Sequence, residues 1–381
     1  MTQKHSESKV TKVTVTPDPD DPDNVTIRTR KKHRHSGLGH SFRKLSRGKR
    51  IAIIVVAVIL VIVIAAAIAV AALTGIGNSN LHQDASELQN VPGNVAQSDQ
   101  GDLLEYKGHH YKYNDNVVSC LFIGHDDESE YAQRANSNCA DAIVLVTMDT
   151  QTKKAKAIMV PRNSYVPVDI YQNNQFVATK KMNLTLSYAV DVDSQSKCAE
   201  NTAKAVSRIF YSLPVKYYVA LDEKALSDAA DAVGGVELTA LQGIPGASYE
   251  KGDKVLLAGD AAYRYVQYRD TSVYESALDR QARQVQFVKA FAAKARKEGA
   301  SGMVKIFNSV SDDTVTNLGA SEVSYLASCF AGGQNAQLDI EQLKGKTTVS
   351  ADANGVEHEH YHLNTDSVTK AMLDAFYTQV D

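Results

Sequence analysis

The chain is poor in the residues that mark specialised architectures. Of 381 residues only 22 are glycine and eight proline, which excludes a collagen or a wholly low-complexity chain. There are four cysteines, none at metal-ligand spacing, and no internal repeat. Long apolar runs are missing apart from one, so a multi-span membrane protein is excluded as well. The net charge of −3 argues against a basic nucleic-acid-binding chain, but it averages two different parts. Residues 1–50 hold 13 Lys and Arg against five acids, a net of +8, whereas the remainder holds 28 against 39, a net of −11.

The one long run separates these parts. Ile51 to Leu73 is 23 apolar residues without charge or hydroxyl, enough as a helix to cross a hydrocarbon core of about 30 Å. A basic stretch precedes it, and no acid occurs between Asp23 and Asp84. Positive flanks stay in the cytoplasm. The expectation is therefore a basic, disordered cytoplasmic tail over 1–50 and a transmembrane helix over 51–74. An extracellular stalk over 75–115 and an outer domain follow. A cleaved signal peptide fits less well, because both the leader and the apolar run are too long. Beside a membrane the basic run sets topology and meets anionic headgroups, so no nucleic-acid partner is expected.

Beyond residue 116 short apolar runs alternate with helical spacing. Val117–Gly124, Ala142–Asp149 and Lys156–Pro161 read as buried strands, the last two joined by a turn. Helices are expected over 198–213, 223–233, 278–297, 301–310, 320–331 and 367–378, with strands at 217–221 and 236–241. The alternation predicts a three-layer α/β/α fold with a mixed central sheet, preceded by the one transmembrane helix. That domain is placed at 116–345, with a C-terminal segment at 346–381. Cys139 in a polar loop and Cys198 at a helix start are candidates for a disulfide, although spacing does not fix connectivity.

Polar clusters fall at strand ends, where open α/β sheets bind ligands. They are Gly124-His125-Asp126-Asp127, Asp141, and Pro161-Arg162-Asn163-Ser164. Asp126 and Asp141 at one mouth would suit Mg²⁺, and Arg162 a phosphate. Arg264, Arg269, Arg280 and Arg283 surround a helix start near Ala277, a natural anion site. The ordinary alternative is an Asp capping a turn and arginines on a solvated helix face. His358, His360 and His362 alternate along a strand, a pattern more often a surface face than a metal site.

The order LFIGHD, AD, IVLVTMDTQTKKAKAIMVPRNSYV, KMNLTLSYA, YYVALDEKALSDAADAVGGVEL, LAGDAAYRYVQYRD and RQARQVQF resembles the LytR–CpsA–Psr (LCP) family over about 117–297. The resemblance implies a membrane-anchored extracellular transferase. Such an enzyme moves a glycopolymer (wall teichoic acid, capsule and similar) from a polyprenyl-pyrophosphate carrier to peptidoglycan, usually with Mg²⁺. It implies Asp126 and Asp141 as metal carboxylates, and Arg162, Arg269 and Arg280 as catalytic arginines beside Asp141. Arg162, Arg269, Arg280 and Gln281 would hold the substrate, and Arg264 or Arg283 is expected to supply charge from a different position where a family arginine is replaced. An apolar groove would take the prenyl tail.

This sequence departs from the family pattern at several points. R-x-D-T appears as Cys139-Ala140-Asp141-Ala142, P-R-D-T as Pro161-Arg162-Asn163-Ser164, and R-x-R as Gln267-Tyr268-Arg269. The G-R before R-Q is Ser276-Ala277. Three readings follow: the transferase, a diverged module that binds polyprenyl phosphates or scaffolds wall assembly, and a pyrophosphatase with water as acceptor.

Overall fold

Val117–His125 (β1), Ala140–Asp149 (β2) and Ala155–Val160 (β3) are β-branched, apolar and almost wholly buried, as central strands covered on both faces must be. β1 and β2 pair antiparallel, with Cys120 opposite Val146, and β2 and β3 pair antiparallel, with Ile143 opposite Val160. The computed structural model describes residues 93–97, 103–125, 139–190, 192–270 and 276–298, and 338–381 apart from 353. It also describes 272–273, short stretches between 306 and 329, and the backbone of Val13–Asp18 and Asp21–Thr29. The apolar run 51–73 lies outside the described residues. Among the described residues no helix is long and apolar enough to cross a membrane.

Further along come the hairpin Tyr165–Gln172 (β4) and Gln175–Asn183 (β5), then Tyr217–Leu221 (β6), Val236–Thr239 (β7) and Lys254–Leu257 (β8). Thr314–Thr316 (β9), Leu338–Gln342 (β10), Gly345–Ala351 (β11) and Glu357–Leu363 (β12) follow. The central sheet has the order β9-β6-β1-β2-β3-β10, with β6 parallel to β1 and β10 parallel to β3. The mixed sheet is thus as expected.

Strand alternation sends Leu121, Ile123, Ile143, Leu145 and Ile158 to one face, and Phe122, Val144, Met159 and Val219 to the other. The first face packs on Gln195–Ile209 (α1) and Thr365–Phe376 (α5). The second packs on Glu223–Ala232 (α2), Gly259–Gln267 (α3) and Ser276–Lys297 (α4). Helix α2 stops because Gly234 and Gly235 adopt φ of +70° and +82°, and the Gly235 N–H returns to the Ala230 carbonyl at 2.8 Å.

Three expectations change. In the expected stalk, Leu103–Tyr106 and His109–Tyr113 are paired strands, and the latter also pairs with the C-terminal Tyr377–Gln379. Residues 103–113 therefore pack into the folded part through a pairing between distant segments that no local pattern announces. Within Met1–Arg47, a unit of its own, the backbone of Val13–Asp18 pairs antiparallel with Asp21–Thr29 where disorder was expected. Their alternating Val and Thr favour an extended chain. Finally, no disulfide joins Cys139 and Cys198; both are buried thiols, Cys139 leading into β2 and Cys198 on the inner side of α1. The helices expected over 301–310 and 320–331 fall largely outside the described residues.

The β4–β5 hairpin is tied to α1 through Asp169, whose side chain is fully buried. Lys204 lies 2.6 Å and Arg208 2.8 Å from its carboxylate, and the Thr179 hydroxyl donates to it at 2.5 Å. Burial alone pushes this carboxyl up, but the hydrogen bonds from Lys204, Thr179 and Arg208 outweigh it and hold the group below the usual range. Asp169→Asn should cost about 2 kcal/mol at pH 7, because it takes the anion from the half-buried Arg208, while the exposed Lys204 stays solvated. A carboxyl with a depressed pKa stabilises above its unfolded pKa of about 3.9 and loses that contribution as pH falls through the folded value. Urea midpoints of the two proteins should therefore converge below about pH 4; a gap unchanged at low pH contradicts the assignment.

Candidate functional site

Topology gathers the expected residues at one end of the sheet. β1, β3, β6 and β10 end there and antiparallel β2 begins there. Because Ile143 is opposite Val160, Asp141 and Arg162, each two residues further out, face one another. Asp141 is fully buried and its carboxylate is in contact with the Arg162 guanidinium. From the first turns of α4, Arg280, only 2% exposed, brings its guanidinium to 3.9 Å from the same carboxylate. Gln281, beside it, accepts from Gln342 at the end of β10 at 2.7 Å. These residues line a narrow crevice together with Asn163, Ala277 and Gln284.

The outer wall comes from the C-terminal hairpin β11–β12, which contributes Thr347, Glu359 and Tyr361. The Tyr361 N–H donates to the Asn163 carbonyl at 2.7 Å, and Asn183 donates to the Glu359 carbonyl at 2.9 Å. Gly345 allows this pairing: a Cβ there would run into the backbone of His362. The Glu359 carboxylate lies 3.5 Å from Arg269 and 3.4 Å from the Asn163 amide. Arg269 in turn donates from Nε to Ser276 at 2.9 Å.

The structure thus brings Asp141, Arg162, Arg280 and Gln281 to one crevice and links Arg269 to it through Glu359. It directs Arg283 elsewhere. That buried guanidinium donates to the carbonyls of Tyr265 (3.0 Å) and Tyr268, and to Gln242 at 2.5 Å. Burial pushes it down from the ordinary arginine value, against the influence of Tyr265, and Arg280 adds repulsion. Arg264 donates to the Pro245 carbonyl at 2.6 Å. Asp126 lies outside the described residues.

The wall residues Glu359 and Tyr361 escaped sequence reasoning, although strand alternation places them opposite the histidines that drew attention. His358 meets Asp352 at 3.3 Å, His360 meets Asn183 at 2.8 Å, and His362 meets Thr348 at 2.9 Å. Among the described residues no three or more His, Cys, Asp or Glu gather as for a metal.

A buried carboxylate flanked by two guanidiniums carries a surplus positive charge. Such a pair adds little net stability, since desolvation offsets attraction, but two planar forks suit phosphate oxygens. As it stands, the arrangement fits an anion rather than a divalent cation at Asp141, because Arg162 already holds that carboxylate.

The LytR_cpsA_psr family profile matches residues 77–373. The chain belongs to this family. It is 23% identical over 271 residues to the polyisoprenyl-teichoic acid–peptidoglycan teichoic acid transferase TagV of Bacillus subtilis, covering 67% of this chain and 64% of that one. To a transferase of the same description, TagU of Bacillus anthracis, it is 25% identical over 207 residues, covering 53% and 60%. The match therefore spans less than two thirds of either curated relative. The crystal structure of B. subtilis TagV shares the fold, with a TM-score of 0.53 at 20% identity, covering 68% of this chain and 94% of that one. A Streptococcus agalactiae protein superposes with a TM-score of 0.54 at 22% identity, covering 69% and 90%. In this LytR_cpsA_psr member the mixed sheet is thus the family's own fold.

Proposed function

We propose that this family member is a transferase that moves a glycopolymer of the teichoic acid class from a polyprenyl-pyrophosphate carrier to peptidoglycan. It would work on the outer face of a membrane, anchored by residues 51–73 with the N-terminus in the cytoplasm. The observation that carries the reading is the buried Asp141 shared by Arg162 and Arg280 at the strand ends, in a chain whose relatives are named teichoic acid transferases.

In the transfer, Arg162 and Arg280 hold the diphosphate, with Gln281 and Arg269 at its sides. A peptidoglycan hydroxyl attacks the phosphorus next to the glycopolymer. The new O–P bond forms as the bond to the bridging oxygen breaks, and polyprenyl phosphate leaves with that electron pair. Asp141, released when Arg162 turns to phosphate, is the carboxylate at hand to take the hydroxyl proton. The arginines stabilise the charge carried by the transferred group.

Asp126, together with Asp141 once Arg162 has turned to phosphate, is proposed to hold Mg²⁺, which would neutralise pyrophosphate charge. The purified chain should bind a polyprenyl-pyrophosphate analogue, more weakly in a chelator than with added magnesium. Absence of binding contradicts the phosphate reading, and indifference to the chelator contradicts the metal.

A specific observation also favours the binding-module reading. Ala277, where the resembling family pattern has an arginine, lines the crevice, and Cys139, at another such position, is a buried thiol. Binding without transfer is the outcome that separates the two.

A further inference from the structure

If the crevice receives a diphosphate, as proposed above, one wall residue opposes it. Glu359 lines the crevice and sets its carboxylate against Arg269, so an incoming phosphate must compete with it for that guanidinium. The backbone of Glu359 is pinned by the Asn183 and Tyr361 hydrogen bonds, so the hairpin is held in register. Its contacts to Arg269 and Asn163, in contrast, are long. At 3.5 Å from Arg269 Nη2 and 3.4 Å from Asn163 Nδ2, they exceed the roughly 2.7–2.9 Å of a committed charge-assisted bond. Arg269 is anchored by Nε–H donating to Ser276 at 2.9 Å, while its Nη2 faces the Glu359 carboxylate and can exchange one anion for another.

We propose that Glu359 is a built-in counter-anion that occupies Arg269 Nη2 at the crevice wall and gives it up to an incoming phosphate. Its partner in that exchange is the diphosphate, and its effect runs through Arg269. A purely structural glutamate would hold the hairpin and leave anion affinity unchanged or lower it.

The test is calorimetric titration of the full chain, in non-ionic detergent, with inorganic pyrophosphate. Glu359→Gln should bind about three- to tenfold more tightly than wild type, because the competing charge is gone while the shape is kept. In an Arg269→Ala background the same change should alter affinity less than about twofold, since the residue through which it acts is absent. Thermal midpoints recorded on each protein identify a variant that fails to fold; Glu359→Ala is carried in parallel for that case, with the same gain expected. Wild-type protein that binds while both folded Glu359 variants bind no more tightly overturns this proposal alone, as does a gain that persists without Arg269. Wild-type protein that does not bind pyrophosphate overturns the phosphate-site reading and this proposal with it.

Discussion

Asp141→Ala should lower transfer by about 10²- to 10³-fold while pyrophosphate binding, measured in a chelator, survives or tightens. The two effects part because Asp141 plays opposite roles in them. In transfer it is the carboxylate facing the reacting groups. In binding it competes with phosphate for Arg162 and Arg280. Its removal also leaves two cations at a buried site without their anion, so stability should fall by roughly 3–5 kcal/mol. Added pyrophosphate replaces the missing charge and should raise the melting temperature of Asp141→Ala more than that of wild type. Thermal unfolding with and without pyrophosphate, alongside a transfer assay, reads all of this. Transfer within threefold of wild type, or a smaller stabilisation by pyrophosphate, contradicts the assignment.

Arg280→Ala should weaken binding of a polyprenyl-pyrophosphate analogue by about 10²-fold, in line with the roughly 1.5–3 kcal/mol of a hydrogen bond to a charged group. Arg280→Lys should recover little of it. The side chain is buried on α4, where a planar fork presents several donors and an ammonium on a flexible stem does not. Stability should fall less than in Asp141→Ala, because Asp141 keeps Arg162 as its counter-charge. Titration of both variants decides the matter: wild-type affinity in Arg280→Lys would show that charge alone suffices and that the fork is not what the site uses.

Much of the central sheet was legible because β1, β2 and β3 are short β-branched runs that only a doubly covered sheet accommodates. The approach of Asp141 to Arg162 was legible too, since both sit at strand ends and antiparallel pairing brings those ends together. The hairpins were not. β5 is largely exposed and carries Lys180 and Lys181, so it lacks the clean apolar alternation that announces a strand. β12 has a readable alternation, but its chemistry was sought on the histidine face, while docking against Asn163 turns Glu359 and Tyr361 to the crevice. Arg283 shows the opposite failure. It sits three residues from Arg280 on the same helix, yet the carbonyls of Tyr265 in the last turn of α3 and Tyr268 just beyond it occupy its guanidinium. Which arginine meets the ligand depends on tertiary acceptors that no local pattern records.

The proposed function requires that this crevice transfer a phosphate-linked polymer and not merely bind its carrier. The most direct test mixes the full chain with a lipid-pyrophosphate-linked glycopolymer and a peptidoglycan oligomer, and follows all products by mass spectrometry. A phosphodiester-joined polymer–peptidoglycan product is expected, with release of polyprenyl phosphate, and it should be lost in Asp141→Ala and Arg280→Ala. Tight carrier binding with no joined product, or hydrolysis of the carrier without joining, would contradict the proposed function.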